Sequence, residues 1–356
     1  MIFDLRQPVA ELALQLVDIP SVSGHEQALA DAVDAGLGAL GHLERLRDGD
    51  AIVARTNLDR GRRVIVAGHL DTVPVAGNLP GRLRDGVLWG RGSVDMKGGL
   101  AAMLATAARV EAPASDVTWV FYDHEEVASA KSGLGRLIAH HPDWLAGDFA
   151  ILCEPTAGGL EGGCNGTLRL AVRASGRAAH SARPWMGVNA IHELVPALDR
   201  LVRFEPATRH VDALDYREAL NAVGIEGGTA GNVIPDSAAL TVNYRFAPDK
   251  SESEARRIVE ALFEGYEVEV VDSAPGARPG LRDAAVARLA GIVASHGGGA
   301  PTAKQGWTDV ARFAALGVPA VNLGPGDPSL AHQDDEACPA EQIDCVAAIL
   351  AEYLEG

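Results

Sequence analysis

The chain has 356 residues, 47% of them hydrophobic, with Gly and Pro dispersed; that is long enough for two domains with proper cores and excludes a disordered chain. Its formal net charge is −17 at pH 7. Nucleic acids and anionic membranes are normally met by a basic face, so neither is expected as a partner, and a substrate carrying carboxylates would need local Arg residues to offset the field.

Met1 to Pro20 holds Val9, Leu12, Leu14, Leu16 and Val17 at the spacing of an amphipathic helix, without the basic region and cleavage site of a signal peptide. No apolar run approaches the roughly 20 residues of a membrane span. Cys153, Cys164, Cys338 and Cys345 form no C-x-x-C pair and are too few for a disulfide framework, so free thiols in a reducing cytosol are expected. Strands are predicted over Arg63-Val64-Ile65-Val66-Ala67, over Val117 to Tyr122 and over Phe149 to Cys153, with a buried helix from Met96 to Val110. Continuous apolar strands alternating with helices predict an α/β domain, its mostly parallel sheet covered by helices on both faces.

From about Leu168 the pattern changes. Leu168 to Arg173 alternates apolar and charged residues, as a half-exposed strand does. A helix over Val188 to Phe204, strands flanking Gly227-Gly228-Thr229-Ala230-Gly231, a polar helix over Ser251 to Phe263 and a strand over Tyr266 to Val271 follow. The order β-α-β-β-α-β predicts a ferredoxin-like α+β sandwich. After Pro275 the α/β pattern resumes, with a helix from Asp283 to His296 and a strand over Pro319 to Leu323. The expected organisation is therefore a catalytic domain, residues 1–167 and 275–356, interrupted by a smaller domain, residues 168–274.

Five clusters of metal-ligand residues are each expected where a predicted strand ends: His69-Leu70-Asp71, Asp95, Glu125-Glu126, Glu154 and His332. Ligands of open parallel sheets bind outside the carboxyl ends of the strands. Each cluster taken alone has a plainer reading. His69 and Asp71 suit a strand-end turn, Asp95 a helix N-cap, and Glu125-Glu126 a solvated acidic loop. Together they supply two imidazoles and enough carboxylates to hold two metal ions through a shared acid, with one acid left as a base. Adjacent buried carboxylates such as Glu125 and Glu126 repel and call for a cation. A metal-binding His usually gives its second ring nitrogen to a carboxylate that fixes the tautomer, a part Asp71 could take for His69.

The runs Gly68-His69-Leu70-Asp71-Thr72-Val73-Pro74, Gly90-Arg91-Gly92-Ser93-Val94-Asp95-Met96-Lys97-Gly98, Glu125-Glu126, Glu154-Pro155 and the late His332 resemble the dinuclear zinc aminoacylase/carboxypeptidase superfamily over nearly the whole chain. The resemblance implies two Zn2+ ions, with Co2+ able to substitute. His69 and Glu154 would hold one ion, Glu126 and His332 the other, and Asp95 would bridge them. Glu125 would be the general base and Asp71 would orient His69. The stretches Gly176 to Arg183, Gly231-Asn232-Val233-Ile234-Pro235, Asn243-Tyr244-Arg245-Phe246 and Gly306-Trp307-Thr308-Asp309-Val310 are most similar to the succinyl-diaminopimelate desuccinylase branch from high-GC Gram-positive bacteria. By that resemblance the inserted domain would be a lid that joins two chains in a homodimer, and His180 would reach across to steady an oxyanion. Arg183, Asn232, Arg245, Gly306 and Thr308 would face the substrate. The metal set attacks any amide, so acetylornithine deacetylases, aminoacylases and dipeptidases stay open, as does a non-catalytic metal-binding protein. His124, His140, His141 and His296 are read as structural or surface residues.

Overall fold

Arg63–His69 pairs in parallel with Asp116–Tyr122 on one side and Phe149–Leu152 on the other, and Ala320–Asn322 continues the parallel pairing beyond Phe149–Leu152. These four strands are buried almost throughout, as runs of Val, Ile, Phe and Leu covered on both faces must be. The computed structural model describes residues 3–356. Eight strands make the complete sheet, its antiparallel edge formed by the hairpin Glu44–Asp48/Ala51–Arg55. Lys97–Arg109 is buried on nearly every side and packs with Val9–Val17 and the C-terminal helix Ala340–Glu355. Its small residues allow close approach. A Cβ at Gly99 would collide with the carbonyl of Cys153, so this helix rests directly on the end of the 149–152 strand.

The amphipathic N-terminal helix runs Val9–Val17, with Leu12, Ala13, Leu16 and Val17 inward; Met1 and Ile2 of the expected segment lie outside the described residues. The C-terminal helix has no counterpart among the elements expected from sequence. Nor does the small antiparallel sheet in which Ala337–Pro339 joins Val87–Trp89 and Arg82–Arg84.

The first compact unit comprises Met1–Gly163, Pro279–Ala303 and Thr308–Gly356, and the second Cys164–Arg278 and Lys304–Trp307. The second carries a four-stranded antiparallel sheet in the order Ala219–Gly227, Ser237–Phe246, Gly166–Ser175, Glu267–Ala274. Leu168, Leu170 and Val172 alternate inward with Leu240, Val242 and Tyr244, and the helices Val195–Val202 and Glu252–Leu262 cover that face. This is the β-α-β-β-α-β order. An additional hairpin, Thr208–Val211 with Leu214–Arg217, was not expected from sequence.

The division falls four residues outside each expected boundary, at 163/164 and 278/279. Cys164 and Ala277 exchange both backbone hydrogen bonds, at 3.0 and 3.1 Å, and so extend the sheet's pairing. Residues 304–307 belong with the second unit because the Trp307 indole donates to Pro275 O at 3.1 Å and Asn165 donates to Gln305 O at 3.0 Å. Among the described residues, no helix is long and apolar enough to cross a membrane.

Candidate metal centre

The parallel register sets the site. His69 stands opposite Tyr122, and Ala67 opposite Leu152, so three chain segments leave the sheet side by side at their carboxyl ends. The first carries His69 and Asp71, the second Glu125 and Glu126, the third Glu154. His69, Asp95 and Glu126 present ligand atoms that all lie within 4.8 Å of one another. His69 Nε2 is 3.1 Å from one Asp95 oxygen, and His332 Nε2 is 3.3 Å from the other. His332 Nε2 also lies 2.8 Å from Glu126 Oε1. Asp95 therefore stands between the two imidazoles, one oxygen toward each. Glu154 is buried beside His69 and acts on its charge.

Asp71 is fully buried, and its carboxylate does more than the sequence suggested. His69 Nδ1 is 2.9 Å from the Asp71 carbonyl and 3.5 Å from its carboxylate. The carboxylate oxygens accept hydrogen bonds from Glu125 N at 2.9 Å, Glu126 N at 3.0 Å and Ser23 Oγ at 2.7 Å. One acid thus fixes the backbone of the Glu125-Glu126 turn and lies against His69. His124, just before that turn, adopts a left-handed φ of 59° and sits 2.7 Å from Asp123, which Arg136 pins to Asp48. His140 and His141 lie against Asp48 and His296 against Glu352, as structural residues do.

The electrostatics follow from crowding buried acids. Burial pushes Asp71 upward, but the bonds from His69 and Ser23 outweigh it and hold the carboxyl at about 2. Asp95 also stays below the usual carboxylate range: burial opposes its charge, and His332 and His69 prevail. His332 is pushed up to about 10 by Asp95 and Glu126. Burial lowers His69, yet Asp71, Asp95 and Glu154 carry it well above its ordinary value. Burial raises Glu125 well above the carboxylate range, and the neighbouring acids Glu154, Asp309 and Glu126 add to the effect. Acids outnumber the imidazoles, and the imidazoles are forced to hold protons. A set of hard oxygen donors with two imidazole nitrogens and surplus negative charge fits divalent metal ions, which would take over the neutralising role of those protons.

The substrate candidates divide into groups. His180 ends the short strand Ala179–His180, which pairs with Val233–Ile234; Ser181 N donates to Asn232 O at 2.9 Å and Arg183 N to His180 O at 2.8 Å. These three residues share one exposed corner of the second unit. Arg245 lies near the far end of the Ser237–Phe246 strand, opposite Thr167, roughly 26 Å of strand away. Gly306 is exposed in the 304–307 segment. Thr308 is 3% exposed and its hydroxyl donates to Asn322 Oδ1 at 2.9 Å, so that hydroxyl is committed within the first unit and not offered to a ligand.

The sequence reading missed Glu336 and Arg91. Both are buried, and they form an ion pair of 2.9 Å beneath the loop that carries Asp95. Glu336 was visible only as the last acid of His332-Gln333-Asp334-Asp335-Glu336.

The model for peptidase family M20/M25/M40 matches residues 65–356. A Mycobacterium tuberculosis protein, provisionally named succinyl-diaminopimelate desuccinylase DapE, is 51% identical, with 99% of each chain covered. Succinyl-diaminopimelate desuccinylase of Corynebacterium glutamicum is 47% identical, covering 96% of this chain and 95% of the relative. The fold matches a Staphylococcus aureus tripeptidase with a TM-score of 0.82 at 23% identity, over 98% of both chains. It also matches Bacillus subtilis YXEP, described as a dinuclear metal-binding peptidase, with a TM-score of 0.70 at 15% identity, over 98% and 97% of the two chains. The chain is a metal-dependent hydrolase of peptidase family M20/M25/M40, grouped with its desuccinylases.

Proposed function

We propose that the protein hydrolyses the amide of N-succinyl-L,L-diaminopimelate to succinate and L,L-diaminopimelate, a step of lysine and diaminopimelate biosynthesis in the cytoplasm. The observation that carries the chemistry is the convergence of His69, Asp95, Glu126 and His332 with Glu125 on the adjoining turn. The names of relatives near 50% identity support the substrate. The four free cysteines suit a reducing compartment.

His69 and Glu154 would hold one Zn2+, Glu126 and His332 a second, with Asp95 between them and Co2+ able to replace either ion. When bound, such ions supply Lewis acidity and make water acidic enough to lose a proton near neutral pH. Glu125 takes the proton of the attacking water, and its burial among acids suits it to accept one. The same carboxyl then delivers that proton to the departing amine. Asp71 keeps the base aimed by holding the amides of Glu125 and Glu126. His180 steadies the oxyanion of the tetrahedral intermediate, Arg183, Asn232 and Arg245 hold the substrate carboxylates, Arg being suited by its planar fork, and Gly306 also contacts the substrate.

Two observations support a homodimer through the inserted unit. Ala219–Gly227 is an edge strand with Val223 and Ile225 exposed, next to helices that expose Ile191, Val195 and Val202. His180 pairs with Val233, just before the Ser237–Phe246 strand begins, and Arg245 lies near the other end of that strand, farther apart than a small acylated amino acid spans, so contact of both with one substrate would call for two copies.

The test is amine release from N-succinyl-L,L-diaminopimelate by zinc-loaded protein, beside N-acetylornithine and a simple dipeptide. A strong preference for the succinyl compound is expected. Turnover of another amide alone would overturn the substrate, and no turnover with metal bound would overturn the activity.

A further inference from the structure

Glu336 is 1% exposed and its carboxylate lies beneath the Gly90–Asp95 loop. Its Oε1 accepts from Val94 N at 2.9 Å and Asp95 N at 3.1 Å. Its Oε2 accepts from Gly92 N at 3.1 Å and Arg91 Nη1 at 2.9 Å, and its own carbonyl accepts from Gly90 N at 3.1 Å. Arg91 then ties in two further segments. Its Nε donates to Pro74 O at 3.0 Å, and its Nη1 to Gln333 O at 3.1 Å. Three loops meet on this pair, and each brings one member of the site: His69 from the 69–74 segment, Asp95 from the 90–95 loop, and His332 from the 332–336 segment. Their meeting depends on the small sheet in which Ala337 pairs with Trp89. Gly92 takes a φ of 84°, which lets the loop curl so that its N–H groups point inward at one acid.

A helix N-cap would need a single acceptor. Here one carboxylate collects three backbone N–H groups of the single loop that carries Asp95, and its charge is matched by a buried guanidinium that reaches the loops on either side. We infer that Glu336, with Arg91, is a positioning residue: it fixes the backbone of Asp95 so that the two Asp95 oxygens face His69 and His332 together. The inference rests on the reading of Asp95 as a metal ligand. Glu336 acts through Asp95 and touches neither substrate nor reacting atoms.

The test compares Zn2+ affinity of the full chain, read by competition with a chromophoric chelator, and the visible absorption of the Co2+-loaded protein, which reports the ligand geometry. Glu336→Gln keeps the shape, but its amide N–H groups must face two of the loop's N–H groups. It is expected to weaken metal binding about 10–100-fold and to change the cobalt spectrum. Arg91→Lys keeps the charge but cannot span Pro74, Gln333 and Glu336 together, and an intermediate loss is expected; it serves if Glu336→Gln does not fold. Asp116→Asn is the control for stability alone, because Asp116 holds Thr56, Leu58 and Arg60 at the opposite end of the sheet. It should melt lower than wild type yet bind metal with wild-type affinity and spectrum. Glu336→Gln behaving like Asp116→Asn would overturn the positioning role. Asp95→Ala separates the two levels: unchanged metal binding there would remove the ligand reading itself, whereas loss there with normal binding in Glu336→Gln would sink only the present inference.

Discussion

Asp71→Asn isolates what one buried acid does for the centre. The substitution keeps the size and removes one acceptor and the charge. With the amide oxygen toward Ser23 and Glu126, the new NH2 faces the Glu125 N–H, which in the native protein donates at 2.9 Å. In the flipped orientation it faces both Glu126 N and the Ser23 hydroxyl, which lose their shared acceptor. Either way one buried backbone donor is orphaned, at about 1–3 kcal/mol, and the remaining bonds lose charge assistance, so a total near 3 kcal/mol is expected. For a chain of this size that lowers the thermal midpoint by about 4 °C. The functional loss should be about 10–100-fold in kcat/KM with metal in excess, because the Glu125-Glu126 turn and His69 both lose their support. Thermal unfolding of the metal-free protein and steady-state kinetics of the metal-loaded protein measure the two parts. An unchanged midpoint together with unchanged kcat/KM would show that the carboxylate does not hold the turn.

Glu125→Gln should retain bound metal by elemental analysis while turnover falls on the order of 10²–10⁴-fold; an emptied site would make Glu125 a ligand and not the base. A 1:1 mixture of His180→Ala and Glu125→Gln, each inactive alone, should recover about a quarter of wild-type activity if each site takes His180 from the partner copy, and none if His180 serves its own chain. Val202→Asp with Ile225→Asp should yield a monomer by light scattering, and persistence of a dimer would move the interface elsewhere. For Asp116, burial opposes the charge, but hydrogen bonds from Arg60, Leu58 and Thr56 prevail, so its folded pKa lies below the ordinary value. Its stabilisation is therefore present above about pH 4 and fades as pH falls through the folded pKa. Asp116→Asn should cost about 1.5–3 kcal/mol in urea unfolding at pH 7, with the gap to wild type narrowing in acid; a constant gap would contradict the assignment.

The legible parts of the fold were those written in local pattern. Arg63 to Ala67, Val117 to Tyr122 and Phe149 to Cys153 are apolar runs bounded by turns or acids, and all three became central strands. Alternation from Leu168 marked the antiparallel sheet of the second unit. What local pattern could not carry was pairing at long range. Ala337–Pro339 is too short for any period to show, and it becomes a strand only because Val87–Trp89 offers it an edge. Residues 304–307 join the second unit through side-chain hydrogen bonds that include ones to residues 32 and 140 positions away.

The same limit explains which site residues were visible. His69, Glu125, Glu126 and Glu154 stood out as polar residues at the carboxyl ends of apolar strands, whereas Asp95, just before the Lys97–Arg109 helix, and His332, in a loop, carried weight only through the joint pattern and the family resemblance. Asp71 was seen as a partner for His69, but its hold on the amides of Glu125 and Glu126 depends on the parallel register that sets His69 opposite Tyr122. Glu336 looked like one more acid in an acidic loop. Its difference from Asp334 and Asp335 is burial: those two are exposed, while Glu336 faces inward onto Arg91 and the amides of the Asp95 loop. A buried carboxylate is tolerable only where donors converge on it. An acid that a folded chain keeps at 1% exposure, next to a centre already crowded with negative charge, must therefore be held by the backbone it in turn holds. In this protein that backbone is the one that aims Asp95.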